Sequence, residues 1–298
     1  MDMKMPDAAL ARSGKPAMKQ RATRSIGEIL VDAGFLTAEA AANIAQAQRE
    51  NGLRFGDAAV QLKLLTMADI EFALARQFEY PYLDPADGSV RPDVVSAFRP
   101  FGPFAEQMRS LRTRLTMQMS AQPDNPPTVA VLSAAAGEGR SFIAANLAVA
   151  FSQMGERTLL IDADLRKPSQ HLRFNIGTNV GLSNLLLGRA GPECITKVPH
   201  FFDLSVMTAG STAPNPQELL MRGRLATLLS EASIAFDIVI IDTPPVCKFA
   251  DAQILASRSG FGVLVARASK TNAKILERSR VALRECGANL VGAVLNDG

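Results

Sequence analysis

The chain has 298 residues, room for one large α/β domain and a smaller one, and its 47% hydrophobic content matches a protein with a substantial core. A formal net charge of +3 gives no ground for a nucleic-acid partner, and no apolar run reaches the 18 or more residues of a membrane span. The N-terminus has no signal-peptide core, and Cys194, Cys247 and Cys286 are odd in number and scattered. They form neither a disulfide framework nor a metal site, so a reducing cytoplasm is expected. His171 and His200 have no evident partner in the sequence and are read as structural.

Residues 1–24 hold six Lys/Arg against two Asp, which predicts a basic disordered arm. An internal repeat follows over 25–82. Ile26-Gly27-x-x-Leu30-Val31-x-x-Gly34-Phe35-Leu36 returns as Phe55-Gly56-x-x-Ala59-Val60-x-x-Lys63-Leu64-Leu65, and Gln48 returns as Gln77, an offset of 29 residues. Each unit predicts a short helix, a turn and a longer helix, which makes a small all-α helical-repeat domain. Pro85, Pro92, Pro100 and Pro103 then mark 83–103 as a linker.

The spacing from Phe104 to Gln118 predicts a helix. Within it Glu106, Arg109 and Arg112 recur at i, i+3 and i+6, roughly along one side. Such a row serves either as a solvated face or as a contact between copies of the chain.

Thr128 to Leu132 predicts a buried strand, and Ser141 to Met154 a largely buried helix. The turn between them, Ser133-Ala134-Ala135-Ala136-Gly137-Glu138-Gly139-Arg140-Ser141, presents backbone N–H groups at the positive end of a helix, an arrangement that binds phosphate. Against G-x-x-x-x-G-K-[ST], Arg140 stands where lysine belongs and Ser141 holds the magnesium-binding hydroxyl position. The swap is not conservative, because arginine is bulkier and forked. Leu159-Leu160-Ile161-Asp162-Ala163-Asp164-Leu165-Arg166 and Ile238-Val239-Ile240-Ile241-Asp242-Thr243-Pro244-Pro245 are apolar strands ending in carboxylates. Ligands in open α/β sheets gather at such ends, where a magnesium–phosphate complex needs oxygen donors. Pro214 to Leu220 reads as a loop feeding a helix, and Phe261–Ala266 and Leu290–Leu295 are further strands. The fold class is therefore α/β, a mostly parallel P-loop sheet with helices on both faces, preceded by the helical repeat.

Three motifs in order, Ser-Ala-x-x-Gly-Glu-Gly-basic-Ser, the Asp-x-Asp-x-Arg strand and the Asp-Thr-Pro-Pro strand, resemble the bacterial tyrosine kinases, relatives of the MinD and ParA ATPases that control exopolysaccharide chain length. The resemblance covers about 104–298 and is nearest to the EpsG-type chain-length-determinant kinases. It implies ATP and Mg²⁺ as cofactors, with residues 135–142 (Ala135, Ala136, Gly137, Glu138, Gly139, Arg140, Ser141 and Phe142) cradling the nucleotide and Asn296 against the adenine. It further implies Ser141, Asp162 and Asp242 at the metal, and Arg140, Asp162 and Asp164 in catalysis, Asp162 activating the attacking hydroxyl. Glu106, Arg109 and Arg112 match the family's ring-forming motif and imply a homo-oligomer. A membrane polysaccharide co-polymerase is the implied partner, recruiting the chain to the inner face of the membrane.

The family's C-terminal tyrosine cluster has no counterpart, so Tyr80, Tyr82 or another protein is the expected phosphate acceptor. A switch or scaffold without turnover therefore competes with the kinase reading. A partitioning ATPase has less support, since the loop has no lysine near its start. The repeat over 25–77 resembles the MshEN module of type II secretion ATPases, which implies either cyclic di-GMP binding through Arg54 or, with Ser25 and Lys63 departing from the pattern, docking of a partner.

Overall fold

The structure, a computed structural model, describes residues 24–78, 80–83, 87–201 and 203–297. The basic arm expected over 1–24 lies outside them except for Arg24, which pairs with Asp32 at 2.9 Å.

Four helices come first: α1 (Ile26–Asp32), α2 (Ala38–Asn51), α3 (Phe55–Gln61) and α4 (Met67–Gln77). They are the two short–long pairs that the repeat predicts. The repeat is also legible in their core, since Ile29, Leu30, Leu36 and Ile44 and their counterparts Ala58, Ala59, Leu65 and Ala73 are all buried in one cluster. Thr37 and Thr66, again 29 apart, cap α2 and α4 by accepting the N–H groups of Ala40 and Asp69. The first positions differ. Ser25 and Glu28 form a capping box on α1, whereas Arg54 precedes α3 without a side-chain cap.

Leu83 and residues 87–103 do not run free as a linker. Leu83, Val90, Val94 and Ala97 are buried in the same core as the central sheet, and a short helix α5 (Val95–Phe98) forms on the way. Proline spacing speaks only to the backbone. It could not show that the apolar residues between the prolines are packed.

Helix α6 (Pro103–Ala121) leads into β1 (Thr128–Ser133), α7 (Arg140–Ser152), β2 (Thr158–Asp162), α8 (Gln170–Arg173) and α9 (Leu182–Leu187). Then come β3 (Ile195–Lys197), β4 (Leu204–Met207), α10 (Pro216–Met221), α11 (Gly223–Ala235), β5 (Ile238–Asp242), α12 (Asp251–Arg258), β6 (Phe261–Arg267), α13 (Ala273–Glu285) and β7 (Leu290–Asn296). The seven strands lie in the order β3-β4-β2-β5-β1-β6-β7. All pairs are parallel except β3 with β4. The continuous apolar runs of β1, β2 and β5 follow from burial on both faces of the sheet. One core packs α7 against one face, and a second packs α9, α10 and α11 against the other.

Helix α7 is the central helix, buried from Ile143 to Ser152. Its Asn146 accepts the Ser96 N–H at 2.8 Å and donates to the Asp93 carbonyl at 3.1 Å. Gln153, just past its end, donates to the carbonyls of Pro81 and Ser96, both at 2.9 Å. These amides bind Pro81, Asp93 and Ser96 to the back of α7.

The row Glu106, Arg109 and Arg112 needs a correction. At 3.6 residues per turn, a residue six positions on lies about 120° around the helix. The Glu106 side chain is 70% exposed, but that of Arg109 is only 22% exposed, pairing with Glu106 and donating to the Pro100 carbonyl. Arg112 is buried and donates to the Ala150 carbonyl at the end of α7. The three charges do not share one open face.

Candidate nucleotide site

The turn between β1 and α7 requires glycine at two places, with φ of +78° at Gly137 and +93° at Gly139. A side chain at Gly139 would also meet the amide of Asn296. The first N–H groups of α7 have no partner within the helix and face the concavity of the turn, with the positive end of the helix dipole behind them. Glu138 is buried and builds this shape from within. Its carboxylate accepts the Ala135 N–H at 2.9 Å and the Thr271 hydroxyl at 2.6 Å.

Asn296 is not free of this loop. It donates to the Glu138 carbonyl at 3.1 Å from the end of β7. Lys270 and Arg267, from the β6–α13 connection, each donate to the Gly137 carbonyl at 3.3 Å. Phe142 packs at a tilt against Phe104 with ring centroids 5.1 Å apart, so its side chain belongs to the α6–α7 packing. Ala135 and Ala136 lie on the turn itself, the first half-buried and the second exposed.

The parallel register β1-β5-β2 brings Ser141, Asp162, Asp164 and Asp242 to one end of the sheet, with Asp162 opposite Asp242. The Ser141 hydroxyl donates to Asp242 at 3.1 Å. Arg140 lies inside this group and uses all three guanidinium nitrogens. Nε donates to Asp242 at 3.2 Å, Nη1 to the Ser133 hydroxyl at 2.9 Å and Nη2 to Asp164 at 3.1 Å. Asp162 accepts the backbone N–H groups of Ser169 and Gln170 at 2.8 and 2.9 Å. Asp164 accepts those of Arg166 and Lys167.

Burial, and then the neighbouring Asp242, push the Asp162 carboxyl up to about 8. Burial also raises Asp242, while Arg140, Gln170 and Ser141 pull it back. The Arg166 side chain is directed away from this cluster. It pairs with Asp251 at 2.8 Å and lies 3.7 Å over the Phe249 ring, fixing the start of α12.

Gln170 has no signature in the sequence and is the hub of the site. Its side-chain amide donates to Asp242 at 2.7 Å and to the Ser141 carbonyl at 3.0 Å, while its backbone N–H holds Asp162. It thereby ties together the P-loop helix and the two carboxylate strands. Its Oε1 is buried with no hydrogen-bond partner among the described residues. Arg267 and Thr271 are visible in the sequence just after a strand, but no motif links them or Lys270 to a turn some 130 residues earlier.

The donor set fits Mg²⁺, a hard cation that takes hydroxyl and carboxylate oxygens. No three acidic or metal-binding side chains among the described residues are grouped to hold a metal by themselves. Mg²⁺ here would use Ser141 and Asp242 and complete its shell with phosphate and water, as is usual for this ion.

A glycine turn feeding a helix, with carboxylates at neighbouring strand ends, defines a P-loop NTPase. Residues 126–297 match the family model described as ParA: NUBPL iron-transfer P-loop NTPase. The tyrosine-protein kinase YwqD of Bacillus subtilis (strain 168) is 39% identical over 204 residues, 68% of this chain and 85% of that protein. Among solved structures, the chimerical protein CapA2B2 is 35% identical with a TM-score of 0.65, over 76% of this chain and 98% of that one. The kinase domain of Escherichia coli tyrosine kinase ETK is 33% identical with a TM-score of 0.67, over 72% of this chain and 83% of that one. The chain belongs to the bacterial tyrosine kinases, within the ParA-like P-loop class.

Proposed function

We propose that the chain is an ATP-dependent protein-tyrosine kinase that regulates the chain length and export of an extracellular polysaccharide. The observation that carries this reading is the convergence of the Ser141 hydroxyl with Asp162, Asp164 and Asp242 at one end of the sheet, beside the N–H concavity of residues 135–141. In this reading the turn would hold the phosphates, and Ser141 and Asp242 would hold Mg²⁺, whose chemistry would be to offset charge on the transferred phosphoryl group. Asp162 would receive the proton of the attacking hydroxyl in its ionised form, which a cation bound beside it at Asp242 would favour, and Asp164 orients the basic side of the site. Asn296 borders the base from the end of β7.

ATP with Mg²⁺ should raise the melting temperature by mass action, and Asp242→Ala should remove most of the rise. A wild-type chain without a shift at millimolar ATP defeats the nucleotide reading. Phosphotyrosine found by mass spectrometry after incubation with ATP–Mg²⁺ tests the transfer itself.

A switch without turnover remains the second reading. It is favoured by the placement of Tyr80, half-buried with its hydroxyl donating to Gln153 at 3.3 Å, which makes it a poor acceptor. We further assign residues 25–82 as an MshEN-like unit and 104–298 as the kinase-like unit, with 83–103 joining them. A groove of about 630 Å³ lies on the first unit, bordered by the repeat residues Gly27, Gln48 and Gln77 and by Phe55. Glu28 and Asp32 line it and Arg54 does not. The groove lacks the arginine that the dinucleotide reading relies on, so docking of a partner segment fits better than cyclic di-GMP.

A further inference from the structure

We propose that Arg140 is an exchangeable cation of the nucleotide site. Arg140 and a divalent metal compete for Asp242, so the metal enters together with a polyphosphate and not alone. The inference deepens the nucleotide reading above and rests on it.

The geometry supplies the competition. The guanidinium bridges Asp242 at 3.2 Å, Asp164 at 3.1 Å and the Ser133 hydroxyl at 2.9 Å. Ser133 is itself fixed, donating to the Ala135 carbonyl at 3.0 Å. Arg140 is 7% exposed and both carboxylates are buried. If the guanidinium left with nothing in its place, two buried carboxylates would face each other without a counter-charge, which is strongly unfavourable. It can therefore leave only when another cation arrives.

The oxygen of Asp242 that receives Arg140 Nε also receives the Ser141 hydroxyl, so the metal position and the guanidinium share an atom. Mg²⁺ alone would satisfy the carboxylates but strand the guanidinium. A metal–polyphosphate brings both a cation for the carboxylates and an anion for the fork. Phosphate is the other ligand that matches this planar group in two-point fashion, and Arg140 is already the first residue of the helix whose N–H groups would hold it. Lysine, a single point charge on a flexible stem, cannot span Ser133, Asp164 and Asp242 at once. Arginine at this position thus sets the order in which metal and nucleotide bind.

The test uses the full chain as wild type, Arg140→Lys and Arg140→Met, with folding checked by circular dichroism. Mn²⁺ binding is followed by electron paramagnetic resonance, first without nucleotide and then with ADP. Mn²⁺ alone should bind Arg140→Met at least about tenfold more tightly than wild type, equivalent to about 1.4 kcal/mol, with Arg140→Lys between them. ADP should strengthen Mn²⁺ binding more in wild type than in Arg140→Met.

If Arg140→Met does not fold, Arg140→Lys against wild type carries the comparison. Equal Mn²⁺ affinity of the folded proteins without nucleotide overturns the exchange. If no protein binds ADP, the nucleotide reading fails, while the Mn²⁺ comparison still decides whether Arg140 holds the metal out.

Discussion

Asp162 sits at the end of β2 where water cannot reach it, and a carboxyl so placed keeps its proton to about 8 against an ordinary 3.8. Between these values the folded chain holds a proton that the unfolded chain has released. Its contribution to stability is therefore full below about 4 and lost as pH rises through about 8. Urea unfolding at pH 5 and pH 8, without nucleotide, should show this decline, and Asp162→Asn should flatten it. The cysteines separate in a similar way. Burial pushes the Cys194 thiol up to about 11, whereas Cys247 is exposed. Thiolate is the reactive form, so iodoacetamide at pH 8 should modify Cys247 well before Cys194, as peptide mapping would record.

At the level of elements, α7 and the segments tied to it carry the next predictions. Replacing Asn146 by Ala leaves the buried Ser96 N–H without its acceptor, a loss of about 1–3 kcal/mol, readable as a lower urea midpoint and faster hydrogen exchange over 93–98. Arg112→Ala should act alike, lowering the melting temperature of the single chain, because Arg112 is an internal brace of α7. Glu106→Lys, on the open side of α6, should leave that temperature nearly unchanged. If the chain forms rings through α6, light scattering should show a smaller mass for Glu106→Lys.

These elements also mark what could be read from residues alone. The strands β1, β2, β5 and β6, the glycine turn and the carboxylates at the strand ends were legible, because buried parallel strands are continuous apolar runs and each motif is local, whereas β7, a partly exposed edge strand, was legible from its apolar residues alone. The short strands β3 and β4, three and four residues long, were not, since so few residues carry no period. Gln170 was missed because its role comes from register between β2 and β5 and not from its neighbours. Arg112 was misplaced because charge spacing along a helix does not say which side another helix covers.

On the scale of the molecule, no helix among the described residues is long and apolar enough to cross a membrane. The proposed recruitment by a membrane partner predicts that kinase activity rises when membranes from the source cell are added, and equal activity with and without them would contradict it. The packing of residues 83–97 has a different consequence, for anyone who would divide the chain. A chain shortened to begin at Phe104 looks like a complete kinase unit by its motifs, yet it would strip Leu83, Val90, Val94 and Ala97 from the core. The three larger side chains alone are worth about 1.5–3 kcal/mol each when buried, a large share of the roughly 5–15 kcal/mol that holds a domain folded. The sticky face of α7 would then be open to solvent, and such a fragment should aggregate while one beginning at Tyr80 stays in solution. The natural seam for truncation or domain exchange is ahead of Tyr80, upstream of where the prolines invite the cut.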